Sequence, residues 1–187
     1  YSCTVIAGPT ELSGTLECPQ YAGAGTLTSI DLTISGEITG SITLTNNAGT
    51  QQTVTGTTTS LFFQDPPLSG AWTPAMGSPL FTASFTTGSI TLDPSETRSF
   101  LDLLGTGSWS GVYTGDFSAY VGSGNVGVPI YTQTAFALIG GGGQVGSNQS
   151  TSGSVTATIG YTFRDGDEVP EPQTWAMLAG GLALLGL

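Results

Sequence analysis

Residues Thr26 to Gly49 read TLTSIDLTISGEITGSITLTNNAG, and the way this stretch is divided decides the fold. Ile30, Leu32 and Ile34 fall on one side, with Ser29, Asp31 and Thr33 opposite; Ile38, Ile42 and Leu44 then align in the same manner. A period of two is what a strand with one buried face demands. We read two strands here, TLTSIDLTISG and EITGSITLTNNAG, pairing as a hairpin. Asn46-Asn47-Ala48-Gly49 supplies residues that tolerate positive φ in a turn.

The same alternation spreads outward. In PIYTQTAFALIGG, Phe136 and Leu138 share a face with Ile130, and GSVTATIGYTF places Val155, Ala157, Ile159, Tyr161 and Phe163 in one register. Weaker strands are expected over 53–63, 80–86, 89–92, 99–104 and 109–121, where Thr and Val suit a pleated, half-buried surface. Asp93-Pro94-Ser95-Glu96 has the look of a helix start, but Thr97, Ser99 and Phe100 make a poor first helical turn, so it reads as turn then strand. Gly140 to Gly143 and the polar residues to Asn148 read as a flexible loop, with neither the helix nor the lysine that a phosphate cradle needs. Trp72 and Met76, in the proline-rich connection from Gln64 to Ser78, are expected to fold over a sheet edge. The fold class is therefore all-β: an antiparallel β-sandwich of about eight to ten strands in two packed sheets.

Composition narrows the partners. Lys and Arg total 2 against 13 Asp and Glu, the net charge is -11, and charged residues make up 8% of the chain against about 25% in ordinary domains. Thr, Ser, Gly, Asn and Gln must hydrate such a surface. It cannot neutralise a phosphate backbone, so nucleic acid is excluded as a partner, and anionic headgroups repel it. Cys3 and Cys18 read as one disulfide closing a hairpin-like loop, in keeping with an extracytoplasmic chain. The bland alternative is a pair of buried thiols. The sequence opens at Tyr1 without a visible basic and apolar leader, so it starts either after a removed signal peptide or inside a fragment.

Catalytic chemistry has little to work with. Histidine is absent, which removes the commonest general base, the Ser-His-Asp arrangement and the usual zinc ligand. No carboxylate pair sits in an aromatic motif that would hold a sugar for hydrolysis. We expect no enzyme activity, no cofactor and no dedicated metal site. Asp165-Gly166-Asp167-Glu168 offers oxygens suited to calcium but reads more simply as a solvated spacer. Asn148-Gln149-Ser150 fits a glycosylation triplet of a kind that chance supplies often. Trp72, Trp109, Tyr113 and Tyr120 are candidates for a sugar-stacking platform, although sheet aromatics more often serve the core.

The chain closes with VPEPQTWAMLAGGLALLGL. From Thr174 to Leu187 no residue is charged, and as a helix the run would measure about 21 Å, short of the ~30 Å hydrocarbon layer. Val169-Pro170-Glu171-Pro172, a short polar step, then Trp175 and a Gly/Ala/Leu run resemble the PEP-CTERM sorting signal of bacterial envelope proteins. The family's usual basic cluster does not follow before Leu187. The body, through GTLTSIDLTISGEITGSITLTNNAG and QTVTG, resembles the choice-of-anchor E type of β domain.

The resemblance implies an exosortase-type membrane enzyme as partner, export by a Gram-negative bacterium to the outer surface or beyond through a removed signal peptide, and membrane contact only through the C-terminal helix. It implies no catalysis. The expected organisation is an N-terminal disulfide segment over 1–25, a β-sandwich over 26–164, an acidic and proline spacer over 165–173 and a hydrophobic sorting helix over 174–187. The expected function is a noncatalytic structural protein of the cell surface or biofilm matrix, self-associating into fibres by strand addition and meeting exopolysaccharide. The alternative is a carbohydrate- or calcium-binding adhesion module.

Overall fold

The computed structural model describes residues 1–64 and 77–165. Nine strands follow one another within them: β1 (Ile6–Pro9), β2 (Ser13–Pro19), β3 (Thr26–Asn46), β4 (Gln52–Gln64), β5 (Phe81–Thr86), β6 (Ile90–Leu92), β7 (Thr97–Tyr113), β8 (Asn125–Gly140) and β9 (Val145–Arg164). They make two antiparallel sheets packed as a sandwich, one in the order β1-β9-β3-β7, the other β2-β8-β4-β5 with β6 also on β4. The all-β sandwich expected from periodicity is therefore present. The expected C-terminal helix, 174–187, lies outside the described residues, as do Trp72 and Met76.

The expected hairpin within 26–49 does not exist; Thr26 to Asn46 is one unbroken strand. From Ile30 onward the buried apolar residues Ile30, Leu32, Ile34, Ile38, Ile42 and Leu44 share one parity, so no turn intervenes to change faces; buried Leu27 has the other parity, on the far side of the register shift between Leu27 and Ser29. Gly36 keeps the phase where a side chain has no room. A Cβ there would lie 2.6 Å from the Phe62 ring and 2.9 Å from that of Phe81, across the sandwich. β3 lies between β9 and β7 along almost all of its length, which makes it the spine of its sheet.

The stretches 99–104 and 109–121, expected as two strands, likewise belong mostly to one, β7, which ends at Tyr113. Its inward Gly105 and Gly107 allow the second sheet to close onto it. A Cβ on Gly105 would stand 2.4 Å from the Ser84 carbonyl oxygen, and one on Gly107 2.6 Å from that of Thr82. The β3–β7 register slips between Gly40 and Ile42, where Asp102 adopts φ 55°, a left-handed conformation that a side chain disfavours.

The loop expected over 140–148 is also shorter than read. Gly140 to Gly143 all have positive φ, a run only glycine takes without strain, and β9 begins at Val145. Asn148 therefore stands exposed on a strand opposite Thr43.

Residues 1–25 are woven into both sheets. β1 pairs β9, β2 pairs β8, and the first residues bridge the two: the Cys3 amide donates to the Ala157 carbonyl on β9, the Thr4 amide to the Glu17 carbonyl on β2. The turn after β3, by contrast, carries the chain from one sheet to the other. Asn46 pins it. Its fully buried Nδ2 donates to the carbonyls of Thr50 at 2.9 Å, Leu92 at 3.1 Å and Asp93 at 3.0 Å, and its Oδ1 accepts from the Ala48 amide at 2.9 Å.

Candidate functional site

The expected pairing of Cys3 and Cys18 is present, with Cα atoms 4.2 Å apart. Cys18 is buried on β2 and Cys3 lies on the segment that lines β9, so the bond staples the two sheets along one side of the sandwich. On the other side β5 closes onto β7, with the Ser84 and Thr82 backbone and the Phe81 ring against Gly105 and Gly107. The staple thus does more than close a local loop: it fixes one seam of the core.

The sorting residues Val169, Pro170, Glu171, Pro172 and Trp175 lie outside the described residues, as do Gly166, Asp167 and Glu168 of the acidic quartet. Among the described residues no group of three His, Cys, Asp or Glu side chains comes together in a way that holds a metal ion. No described helix is long and apolar enough to cross a membrane.

Of the four aromatics weighed as a sugar-stacking platform, two serve the core, as sheet aromatics more often do. Tyr113 and Tyr120 are buried, their rings 5.8 Å apart, with Phe117 edge-on to Tyr113 at 5.8 Å; they fill the end of the core. Trp109 is half-buried and Trp72 lies outside the described residues. A different row of rings runs near the surface instead: Tyr1 to Tyr161 at 5.7 Å, Tyr161 to Tyr21 at 5.7 Å, Tyr21 to Phe163 at 5.3 Å. The Tyr161 hydroxyl donates to the Pro19 carbonyl at 2.7 Å, and burial pushes its pKa up to about 12, with Tyr120 and Tyr1 adding to the shift. Tyr161 and Phe163 follow the inward parity of β9 past the end of the core, which is why Phe163 remains exposed.

Two surface features remain. On the outer face of the β9-β3-β7 sheet, a shallow groove of about 600 Å³ lies over Gly36 and Gly107, with Ser35, Glu37, Thr106 and Ser108 around it. On the same face Thr33 and Ser110 bond each other at 2.9 Å, and Thr43 and Ser99 likewise. Hydroxyls that face each other across this sheet thus satisfy one another along its rim.

The second feature is the edge strand β7, which pairs with β3 on one side and with no strand among the described residues on the other. Eight large apolar side chains are prominently exposed among the described residues; three of them, Leu101 (68%), Leu104 (56%) and Val112 (62%), sit on this strand. Sequence reading missed this edge because alternation shows which face a residue occupies and not which strand ends a sheet.

No family model matches the chain, and no curated protein matches it. Among solved structures, similarity extends to the infectious bursal disease virus T13 particle, at 11% identity with a TM-score of 0.23, covering 96% of this chain and 46% of that one. The Gt strain of the same virus gives 13% identity and a TM-score of 0.18, covering 99% and 51%. The chain spans about half the length of the structures it matches. Likenesses at these TM-scores carry no argument about this chain.

Proposed function

We propose that the chain is a noncatalytic structural protein of the bacterial cell surface or extracellular matrix, exported and then sorted by its PEP-CTERM-like tail through an exosortase-type enzyme. The observation that carries this reading is the Cys3–Cys18 bond across the seam between the sheets, a cross-link that lasts in an oxidising compartment and not in a reducing cytosol. The composition agrees with it. A surface of Thr, Ser and Gly with 2 basic residues presents few side chains for nucleic acid or anionic lipid and suits a building unit that associates with copies of itself. Fractionation of the native host tests the reading: the account expects the protein in the outer-surface or extracellular fraction, dependent on residues 169–187, and a purely cytosolic protein overturns it.

The second reading, a carbohydrate- or calcium-binding adhesion module, draws on the groove beside Glu37. Hydroxyls and one carboxylate over a glycine floor suit an uncharged polyhydroxylated ligand better than an anion. Titration calorimetry with the host's exopolysaccharide and with calcium separates the two readings; saturable heat at a defined stoichiometry favours this one, and no heat favours the first.

A further inference from the structure

We infer that β8 pairs antiparallel with β8 of a second copy about a two-fold axis at Ala137, with the β9 edges of the two copies meeting beside it, so that both sheets of the sandwich run on into those of the partner. The inference rests on the reading of the chain as a self-associating structural unit and names the surface, the partner and the register. An open strand edge presents a row of backbone donors and acceptors that another strand can satisfy, and proteins ordinarily guard such edges with Lys, Pro, inward charges or bulges.

On the side that the disulfide staples, the sandwich is covered over part of its length only. β2 pairs β8 from Asn125 to Tyr131, and β1 pairs β9 from Ser152 to Val155. The connection between β1 and β2 then makes the last contacts: the Leu12 carbonyl accepts from the Thr132 amide, the Glu11 carboxylate from the Thr134 amide at 2.7 Å, and the Thr151 carbonyl from the Thr10 amide. Beyond them no described strand pairs with this edge of β8 or of β9. By the alternation those bonds set, the backbone groups of Phe136 and Leu138 on β8 and of Ser147 and Gln149 on β9 point out along the two edges. Nothing guards the β8 edge: Ala135-Phe136-Ala137-Leu138-Ile139 is apolar throughout, and no charged residue or proline occurs from Tyr131 to Phe163. Ile139 is 68% exposed, Ala135 and Ala137 are exposed, and Phe136 and Leu138 face the core yet are only half-buried.

The two open edges lie at one level. Thr58 of β4 pairs with Phe136, and its buried hydroxyl donates to Gln149 Oε1 on β9 at 2.7 Å, so Gln149 stands across the sandwich from Phe136. Packed sheets lie about 10 Å apart, so an occupant that satisfies both edges must offer two strand edges at that spacing. A single extended peptide satisfies one of them; the same side of a second copy satisfies both. In a chain of net charge -11, the stretch free of charge is also where two copies approach most readily. The register follows from the pattern. Ala137 is the midpoint of the apolar stretch, and an axis there sets Phe136 against the partner's Leu138, each with its backbone groups turned toward the other. Their half-buried side chains cover one another on the inner face, while Ile139 meets the partner's Ala135 on the outer face, the cross-strand pairs that stabilise antiparallel sheets. The partner's Gly140, without a side chain, comes opposite Thr134, where Glu11 closes the edge. On β9 the same axis passes Asn148 and sets Gln149 against the partner's Ser147. Each contact occurs twice, i to j and j to i, as a closed two-fold interface requires.

Cysteine scanning of the full chain tests this. The native cysteines are already bonded to each other, so a new thiol reports on the interface alone. Ala135 and Ala137 are both small and exposed on the outer face of β8, so either position takes a cysteine without disturbing the core. In the Ala137→Cys variant the two thiols lie directly opposite, in a pair whose Cα atoms are about 4.5 Å apart, inside the range a disulfide spans. In Ala135→Cys they are offset by four residues, about 13 Å, beyond that range. Mild oxidation is expected to give a disulfide-linked dimer of Ala137→Cys and none of Ala135→Cys. Sedimentation velocity is expected to show a dimer of the unmodified chain, converted to monomer by Ile139→Lys or by Ala135→Lys, each with an unchanged circular dichroism spectrum.

A monomeric unmodified chain at every accessible concentration, equal cross-linking at positions 135 and 137, or a dimer that survives both lysine variants overturns the inference. Each of these results leaves export and sorting untouched, because cell fractionation reads those separately.

Discussion

Asn46 is where a single amide pins the turn that carries the chain from one sheet to the other, and its replacement by aspartate probes that directly. The side chain is fully buried and makes four hydrogen bonds, three of them donated from Nδ2 to the carbonyls of Thr50, Leu92 and Asp93. Asn46→Asp keeps the shape and removes both amide hydrogens, leaving three carbonyl oxygens facing a carboxyl oxygen. An unsatisfied buried group costs about 1–3 kcal/mol. The Thr50 and Asp93 bonds are only part-buried and water recovers some of their loss, so the deficit at neutral pH comes to about 3–4 kcal/mol.

Its sign with pH is fixed. Burial among carbonyls disfavours the ionised carboxylate, so the folded pKa of the new Asp lies above its unfolded value of about 3.9. The folded variant then binds the proton more tightly, and its relative stability is best below about pH 4 and falls as pH rises through the folded value. Urea unfolding of the unmodified chain and of Asn46→Asp across this range measures the difference. A deficit under about 1 kcal/mol at pH 7, or one that shrinks as pH rises, refutes the role assigned to Asn46.

Gly105→Ala is expected to destabilise the chain by about 2 kcal/mol or more, since its Cβ meets the β5 backbone 2.4 Å away and a backbone gives way less readily than a side chain; thermal unfolding reads the loss. The double replacement of Cys3 and Cys18 by Ala is expected to cost about 3 kcal/mol, the loop-closure value for a separation of 15 residues, and reduction of the unmodified chain is expected to lower its urea midpoint in step. Ultraviolet titration is expected to show Tyr161 ionising near 12, a contribution that Tyr161→Phe removes. Because the Tyr161 pKa is raised on folding, its contribution is present below the ordinary phenol value of 10.0 and disappears as pH climbs through about 12.

Sequence alternation located the inward side chains of β9 and most of those of β3, because burial on one face imposes period two whatever the partner strand is. Glycine misled the division into strands. Gly36 and Gly40 resemble turn positions, yet the apolar residues on either side of them share one parity, and that parity is the legible sign of a single strand. What glycine records there is contact between sheets, as the Phe62 ring against Gly36 and the Ser84 backbone against Gly105 make plain. Contact of that kind depends on partners far away in the chain, so no local pattern reveals it.

β1 and β2 escaped notice for a related reason. They are 4 and 7 residues long, and their place is set by hydrogen bonds to β9 and β8 more than by their own hydrophobicity. The disulfide was legible from cysteine count and compartment, while its position across the seam was not. Tyr113 and Tyr120 show the limit for sites: aromatic residues in strands are visible in a sequence, and whether they line a surface or a core is decided by the sheet that covers them.

The most direct test of the central claim is intact-mass analysis of the protein stripped from the outer surface of its native host, with thiol alkylation before and after reduction. The account predicts no alkylation before reduction and two alkylated cysteines afterwards, in material recovered outside the cytosol. A chain found in the cytosol that takes up two alkyl groups without reduction contradicts it.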